Sequence, residues 1–364
     1  MKEEISALEL FYLTKELQTI IGGRLDKIYQ QDRSFLITMH VPSKGKFMLK
    51  IMPNTIYLTN YKGDFPPIGG FTMFLRKHLS NSRIRRIEQK YFERIIEIEF
   101  ETKEKTTIMI VELFSNGNVI LCDKDHKIMS ALESNKWKDR IIRGGIIYEE
   151  PPKQVNTPKL SEKEFLDIIS SSEKESIVKT LATDLSLGGL YAEELCLLSK
   201  MDKTKQKITV KEGKILYTYL QKIISKKINS EIIGKEIVPF HLETLGKGEC
   251  FKSFNEAIDE TLSEKNIKAF SDNVEKKKNT ALDKIKKIIF QQEETIKGLK
   301  LSEEENQKKG EFIYEHYKEL EKILEGINIA RKKMTWEEIK EKIDKKIITK
   351  INDKQGTLTI NLDK

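Results

Sequence analysis

The sequence predicts an α+β protein: a β-rich N-terminal half followed by helices and a long helical arm. Three observations carry this. Short segments of alternating apolar and polar residues, broken by Gly, Pro, Ser and Asp, occupy residues 25–59 and 94–122, the pattern of half-buried strands joined by turns. From Ser161 the apolar residues change to helical spacing. Further on, Ile285, Ile289, Gln292, Ile296 and Leu299 step by four and three, and Ile313, Tyr317, Leu320, Leu324 and Ile327 repeat the step, as the a and d seam of a coiled coil does.

Taken in order, Ser6 with Glu9 three residues later is a capping box. It opens an amphipathic helix through Leu8, Leu10, Phe11, Leu13, Leu17, Ile20 and Ile21, which Gly22-Gly23 closes. Leu25–Tyr29, Ser34–Val41, Lys46–Ile51 and Thr55–Thr59 read as a meander. Phe71, Phe74, Leu75 and Leu79 give a short helix whose other face carries Arg76, Lys77 and His78. Strands follow over Arg94–Phe100, Ile108–Phe114 and Val119–Cys122, the last two joined by an Asn116-Gly117 turn. Glu93-Arg94 stands at the mouth of the first of these, after Tyr91-Phe92.

Around Pro151-Pro152 the composition changes, and Lys153–Lys159 is a polar linker. Helical spacing covers Ser161–Ser170, Glu175–Ala182, Tyr191–Lys200 and Lys211–Lys226. Gly188-Gly189 makes a tight connection whose backbone N–H groups would face a phosphate, or simply cap the helix. Ile232–Phe240 is β-branched and apolar. The arm then runs on for roughly 60 Å at 1.5 Å per residue across the two seams, with Gly298 and Gly310 as places to bend. A hairpin of the two seams would turn near Ser302–Lys309. Lys346–Ile351 and Thr357–Leu362, around a DKQG turn, read as a terminal β-hairpin.

Composition narrows the function. The chain has 364 residues, with 65 Lys and Arg against 57 Asp and Glu, net charge +8 and pI near 9.0, a balance that favours polyanions. Cys122, Cys196 and Cys250 are odd in number and widely spaced, which argues against zinc and a disulfide framework and suits a reducing cytosol. MKEEISALEL lacks the apolar core of a signal peptide, and no apolar run approaches the roughly 18 residues of a membrane span. Five histidines, His40, His78, His126, His241 and His316, supply no triad or metal spacing, and no phosphate-binding glycine motif is present. No cofactor, metal or small-molecule substrate is expected.

What remains is recognition. Arg76, Lys77, Arg83, Arg85, Arg86, Lys90 and Arg94 crowd one window with Phe74, Tyr91 and Phe92 between them, the mixture that RNA binding uses for phosphates and unstacked bases. A solvated face over buried aromatics would give the same pattern. Arg140, Arg143, Lys136 and Lys138 surround Trp137 and extend the window. His78 reads equally as a structural hydrogen bond or an RNA contact. The runs Lys276–Lys278 and Lys332-Lys333 lie on the arm.

The blocks SALEL, GGRLDKIYQ, FTMFLRKHL, Gln89-x-x-x-Glu93-Arg94-Ile95, ELFSNGNVIL and RGGIIYEEPP, in that order, resemble the NFACT-N domain of the RqcH/NEMF family. The resemblance implies an NFACT-N domain over 1–160 similar to the N-terminal domain of formamidopyrimidine-DNA glycosylases. A helix-hairpin-helix module over 161–235, a connector over 236–262, a coiled-coil arm over 263–346 and the start of a middle β domain over 347–364 follow from it. It further implies a cytoplasmic, non-enzymatic factor that binds stalled large ribosomal subunits (rRNA) with peptidyl-tRNA. Such a factor recruits tRNA to extend the blocked peptide without a template. The family usually has Asp-Arg where this chain has Glu93-Arg94, so the pair's role in tailing passes more directly to Arg94 than to Glu93. Together with the cationic window and the glycine turn, this gives the expected RNA contacts Arg94, Glu93, Arg76, Lys77, His78, Arg83, Arg85, Arg86 and Arg143, with backbone donors at Gly188 and Gly189. The family's long helix pairs with a later one, followed by an NFACT-R domain, so the chain reads as a portion ending before them, with a seam open to dimerisation.

Two other functions compete. A protein-protein adaptor or fibronectin-binding adhesin would use the coiled coil. A DNA glycosylase would need a catalytic proline-glutamate terminus and usually a zinc finger, whereas this chain begins Met1-Lys2-Glu3-Glu4.

Overall fold

The computed structural model describes residues 4–63, 65, 69–137, 140–151, 155–343, 346–352 and 355–362, and excludes the side chains of 264–279 and 281. The expectations placed on Lys138, the Lys276–Lys278 run, the first residues of the 153–159 linker and part of the DKQG turn lie outside the described residues. Two compact units divide the chain, Met1–Asp272 and Asn273–Lys364.

The first unit opens with α1 (Ala7–Leu17), started by the expected capping box: Ser6 Oγ accepts from the Glu9 N–H, and the Glu9 carboxylate accepts from the Ser6 N–H at 2.8 Å. Gly22, at φ +83°, ends it after a short 3-10 turn. The strands β1 (Arg24–Gln31), β2 (Ser34–Val41), β3 (Gly45–Met52) and β4 (Thr55–Leu58) form one antiparallel meander. After α2 (Gly70–Leu79) a second is built from β5 (Arg83–Gln89), β6 (Ile95–Glu101), β7 (Thr106–Glu112), β8 (Asn118–Asp123) and β9 (Ile128–Ala131). Together they make a nine-stranded sheet in the order β4-β3-β2-β1-β5-β6-β7-β8-β9.

The two meanders meet at a corner. β1 and β5 are in register only at Arg24 and Arg83, so each runs on with an unpaired edge, which must be covered or satisfied. A helix does this on each side. Along β1, Arg76 of α2 donates Nε to the Ile28 carbonyl at 2.8 Å. Along β5, Gln18 donates to the Ile87 carbonyl at 3.0 Å, and Gln89 of β5 reaches the Ala7 carbonyl of α1 at 2.8 Å. The inner faces of both meanders, Ile28, Phe35, Ile37 and Leu49 with Ile84, Ile98, Phe100 and Met109, enter one core with Leu13 and Leu17 of α1 and Leu75 and Leu79 of α2. The sheet therefore folds over itself.

The strand β5 departs from the expected cationic window. Its sequence RIRRIEQ buries Ile84 and Ile87, and its arginines face the glutamates of β6. A small hairpin of β10 (Asn135–Lys136) and β11 (Ile141–Ile142) follows β9.

Next come α3 (Glu162–Ser171), α4 (Ile177–Thr183), α5 (Gly189–Leu198) and α6 (Val210–Ser225). Capping boxes at Ser161 and Thr209 start the first and last of these. Phe165, Leu181, Leu187, Tyr191, Leu195, Leu216 and Leu220 build a second core that also takes Leu8 and Tyr12 of α1 and Phe92. One helix thus lends one face to the sheet and the other to the helical layer. A three-stranded sheet of β12 (Ser230–Ile233), β13 (Glu236–Val238) and β14 (Glu249–Phe251) leads to α7 (Phe254–Glu315), whose first turns place Phe254, Ala257, Ile258 and Leu262 in the sheet core.

In the second unit α7 stays helical through Gly298, Gly310 and the whole of 302–309, so the hairpin that would have turned there is not formed. The reason is local. Glu, Gln and Lys dominate that stretch and are good helix formers, while each glycine costs only about 1 kcal/mol against alanine. The break falls instead at His316, followed by α8 (Tyr317–Arg331), α9 (Trp336–Lys342) and a hairpin of β15 (Ile348–Asn352) and β16 (Thr357–Ile360). The seam residues Ile285, Ile289, Ile296, Leu299, Ile313, Tyr317 and Leu324 are exposed.

Candidate nucleic-acid interface

Glu93 and Arg94 leave a tight turn between β5 and β6. The Glu93 N–H donates to the Lys90 carbonyl at 2.7 Å, and the two central residues, Tyr91 and Phe92, have φ of +46° and +60°. Left-handed backbone costs an L residue roughly 1–2 kcal/mol, and the turn holds it at two aromatic positions in succession. Burial offsets it: Phe92 is 3% exposed in the helical core and meets Phe11 edge to face at 6.2 Å. Gln89 Nε2 also donates to the Glu93 carbonyl at 2.9 Å, and the Arg94 carbonyl accepts from the Leu113 N–H at 2.8 Å. The pair is fixed from three sides.

The pair faces a cleft of about 620 Å³ lined by Glu4, Ser6, Ala7, Glu93, Arg94, Ala182, Thr183, Ser186 and Gly188. One wall is the start of α1 and another the α4–α5 connection. Tyr191 of α5 joins them by donating to Glu9 Oε1 at 2.7 Å, the same carboxylate that caps α1. The guanidinium of Arg94 pairs with Glu4. Sequence reasoning missed Glu4 and the anchoring roles of Gln89 and Phe92, because no local pattern shows what those side chains touch. At the glycine turn a correction is needed. The Gly188 N–H is engaged, donating to the Ala182 carbonyl at 3.1 Å, so the donors a helix start leaves over begin at Gly189.

Glu93 does not pair with its neighbour. Its Oε1 is buried with no hydrogen-bond partner among the described residues, and burial raises the carboxyl to about 7. A raised folded-state value means that the ionised form is penalised in the fold. Stability is then fullest below about 4.5, the ordinary glutamate value, and is lost as pH rises through 7. Glu93→Gln is therefore expected to unfold at a higher temperature than the parent at pH 8 and to match it at pH 4.5. Thermal melts at both values check this, and a variant less stable at pH 8 would refute it.

The other expected contacts are dispersed. Arg76 lies outside the cleft, anchored on the Ile28 carbonyl of β1. Arg85 pairs with Glu101, and Arg86 with Glu88, Glu97 at 2.7 Å and Glu99 at 3.1 Å. The cross-strand glutamates were the signal that could have revealed this pairing. Lys90 reaches Glu97 at 3.3 Å and Glu150 at 3.9 Å. His78 lies against Phe74 and 2.7 Å from Lys105 Nζ. Burial and the Lys105 and Lys77 charges hold it below the usual histidine range. Lys77, Arg83 and Arg143 are exposed. Arg140 is buried against Glu112. Of the expected residues, Glu93, Arg94 and Gly188 share the cleft.

Comparison with known proteins bears on this arrangement. The family model for NFACT N-terminal and middle domains matches residues 7–364. The chain is 30% identical to the archaeal Rqc2 homolog aRqcH of Methanocaldococcus jannaschii over 100% of its own length and 58% of that protein. It is 24% identical to the ribosome quality control complex subunit NEMF of Homo sapiens, over 93% of this chain and 35% of that one. It thus spans little more than half of the first relative and about a third of the second. The N-terminal part of the fibronectin/fibrinogen-binding protein from Streptococcus suis shares the fold, with TM-score 0.59 and 22% identity, covering 72% of this chain and 100% of that structure. No helix among the described residues is long and apolar enough to cross a membrane. With the family match running over nearly all of its length, the chain belongs to the NFACT family of RqcH, Rqc2 and NEMF proteins.

Proposed function

We propose that this chain is the tRNA- and large-subunit-binding portion of a ribosome-associated quality control factor. In this reading it recruits tRNA for untemplated tailing of a stalled peptide, while the ribosome makes the bonds. The observation that carries the proposal is the placement of Arg94 and Glu93 on a strained, triply anchored turn, facing the cleft in which α5 begins. Strain held in place at a cleft is a mark of function. A cation, an unpartnered carboxyl and a helix start fit a phosphate and its sugar better than they fit catalysis. The α4–α5 pair joined at Gly188-Gly189 serves as a helix-hairpin-helix-type module, and the exposed Lys77, Arg83 and Arg143 add phosphate contacts outside the cleft. The coiled-coil arm reaches toward the subunit.

The test is sequencing of RNA that copurifies with the chain at low salt. A tRNA species enriched by the parent is expected to drop at least about tenfold with Arg94→Ala, a loss of roughly 1.4 kcal/mol. The fold should be unchanged, because the Arg94–Glu4 pair is 31% and 57% exposed and such pairs contribute little. Retention of tRNA by the variant would remove Arg94 from the reading. The exposed seam on α7 and α8 favours a second reading, a protein-protein adaptor of the kind the fibronectin-binding neighbour's name describes. Salt separates the two: phosphate contacts weaken steeply with ionic strength, and an apolar seam does not.

A further inference from the structure

A second cationic group lies on β1 and β3, away from the Arg94 cleft. In the cross-strand row Tyr29–Leu36–Lys50, Leu36 is buried and the rings and cations gather around it. Tyr29 stacks on Phe65 at 5.0 Å and 28°. Lys62 Nζ lies 4.6 Å from the Tyr29 ring centroid, the Arg76 guanidinium 5.6 Å from the same ring, and Lys50 Nζ 5.3 Å from the Phe65 ring. Arg76 is oriented by donating Nε and Nη2 to the Ile28 carbonyl.

Lys50 is partly buried, and its burial pulls the ammonium below the usual lysine range. Among the described residues none of the three cations has an ion-pair partner. On β5 and β6, by contrast, Arg85 and Arg86 are matched by Glu101, Glu97 and Glu99, and Arg33 by Glu133. A protein rarely buries a cation without an anion. The ring faces supply part of the compensation and hold the three groups ready.

We infer that Lys50, Lys62 and Arg76, set around the Tyr29–Phe65 ring pair, form a phosphate-binding cluster for the backbone of an RNA chain. The inference rests on the proposed RNA function and adds a site to it. The rings are already covered by cations, so they serve to place charge and not to stack bases. Phosphodiester oxygens, rather than nucleobases, are the ligand.

The experiment measures binding of fluorescein-labelled total tRNA to the full chain across a sodium chloride series, for the parent, Lys50→Met, Lys62→Gln and Arg94→Ala, with thermal melts of each. Lys50→Met is expected to weaken tRNA binding about five- to tenfold at low salt while raising the melting midpoint. Each lysine removed should also lower the salt slope by about 0.7–0.9. A structural lysine would give the opposite pattern, a lower midpoint with unchanged affinity, and that result overturns the cluster. Parent binding that is indifferent to Lys50→Met and Lys62→Gln but lost in Arg94→Ala also overturns it and leaves the cleft standing. No tRNA binding by the parent would fail the RNA reading itself. Competition by polyglutamate as effective as by unlabelled tRNA would assign the cluster to an acidic protein instead.

Discussion

Replacing Arg140 by methionine is expected to lower stability by about 3–5 kcal/mol, the cost of leaving a buried charge without its partner. Glu112 is 3% and Arg140 8% exposed, and they meet at 2.6 Å. Tyr148 donates to the same Glu112 oxygen at 2.9 Å, and its phenol is driven far above the ordinary range by burial and by that carboxylate. The guanidinium also lies 4.7 Å from the Trp137 ring. In the single variant the Glu112 carboxylate keeps only a phenol, too little for a charge out of water. The double variant Glu112→Leu with Arg140→Met removes both charges and is expected to regain most of the loss, since a buried pair is often worth no more than an apolar replacement. Urea titration of parent, single and double variants checks this, and a single variant within about 1 kcal/mol of the parent would refute it. The consequence reaches the cleft. Glu112 stands in register with Ile95, and the next residue, Leu113, holds the Arg94 carbonyl, so loosening this pair should also disturb the position of Arg94 and, on the proposed function, weaken tRNA binding.

Much of the fold was legible because its signals are local. Ser6 with Glu9, Gly22 at positive φ and the Asn116-Gly117 turn each satisfy a backbone requirement within four residues, and each formed as read. The strand β5 was not legible for the converse reason. Its arginines hid Ile84 and Ile87, and three of the glutamates that neutralise Arg85 and Arg86, namely Glu97, Glu99 and Glu101, lie on another strand. The same holds at the cleft. Arg94 could be singled out by resemblance, but its partner Glu4 and the positive φ of Tyr91 and Phe92 are set by the helical core that buries Phe92. That core is assembled from α1, far upstream, and from the helices that follow Ser161, and only folding brings them together. Lys50 and Lys62 went unnoticed because each is an ordinary lysine in sequence, and only their placement over the Tyr29 and Phe65 rings in three dimensions marks them. The helix through 302–309 decides between two courses the pattern left open, since polar residues of high helix propensity suit a turn or a helix alike.

The closure of the sheet gives the remaining large effect. Gly117, at φ +67°, lies in the turn between β7 and β8, and a Cβ there would sit 2.4 Å from Pro53 Cα and 2.6 Å from its carbonyl oxygen. Backbone cannot yield as a flexible side chain can. Pro53 belongs to the β3–β4 turn of the other meander, and Arg33, from the β1–β2 turn, fastens the same place by donating to the Asn116 and Gly117 carbonyls, both at 2.7 Å. This is where the two halves of the folded-over sheet lock. Gly117→Ala meets two costs: left-handed backbone, roughly 1–2 kcal/mol, and the clash, which overpacking data put at about 1–3 kcal/mol more. Gly234, between β12 and β13, separates them, because its φ of +61° is nearly the same but nothing lies within 4 Å of an added Cβ. Gly234→Ala is expected to show the conformational cost alone, and Gly117→Ala a distinctly larger loss in urea titration. Equal losses would mean that the meanders are not locked at Pro53. If the larger loss at Gly117 comes with weaker tRNA binding while Gly234→Ala binds normally, the lock also sets the wall behind Arg94, since Glu112 to Asn118 is the hairpin from which Leu113 holds that residue's carbonyl.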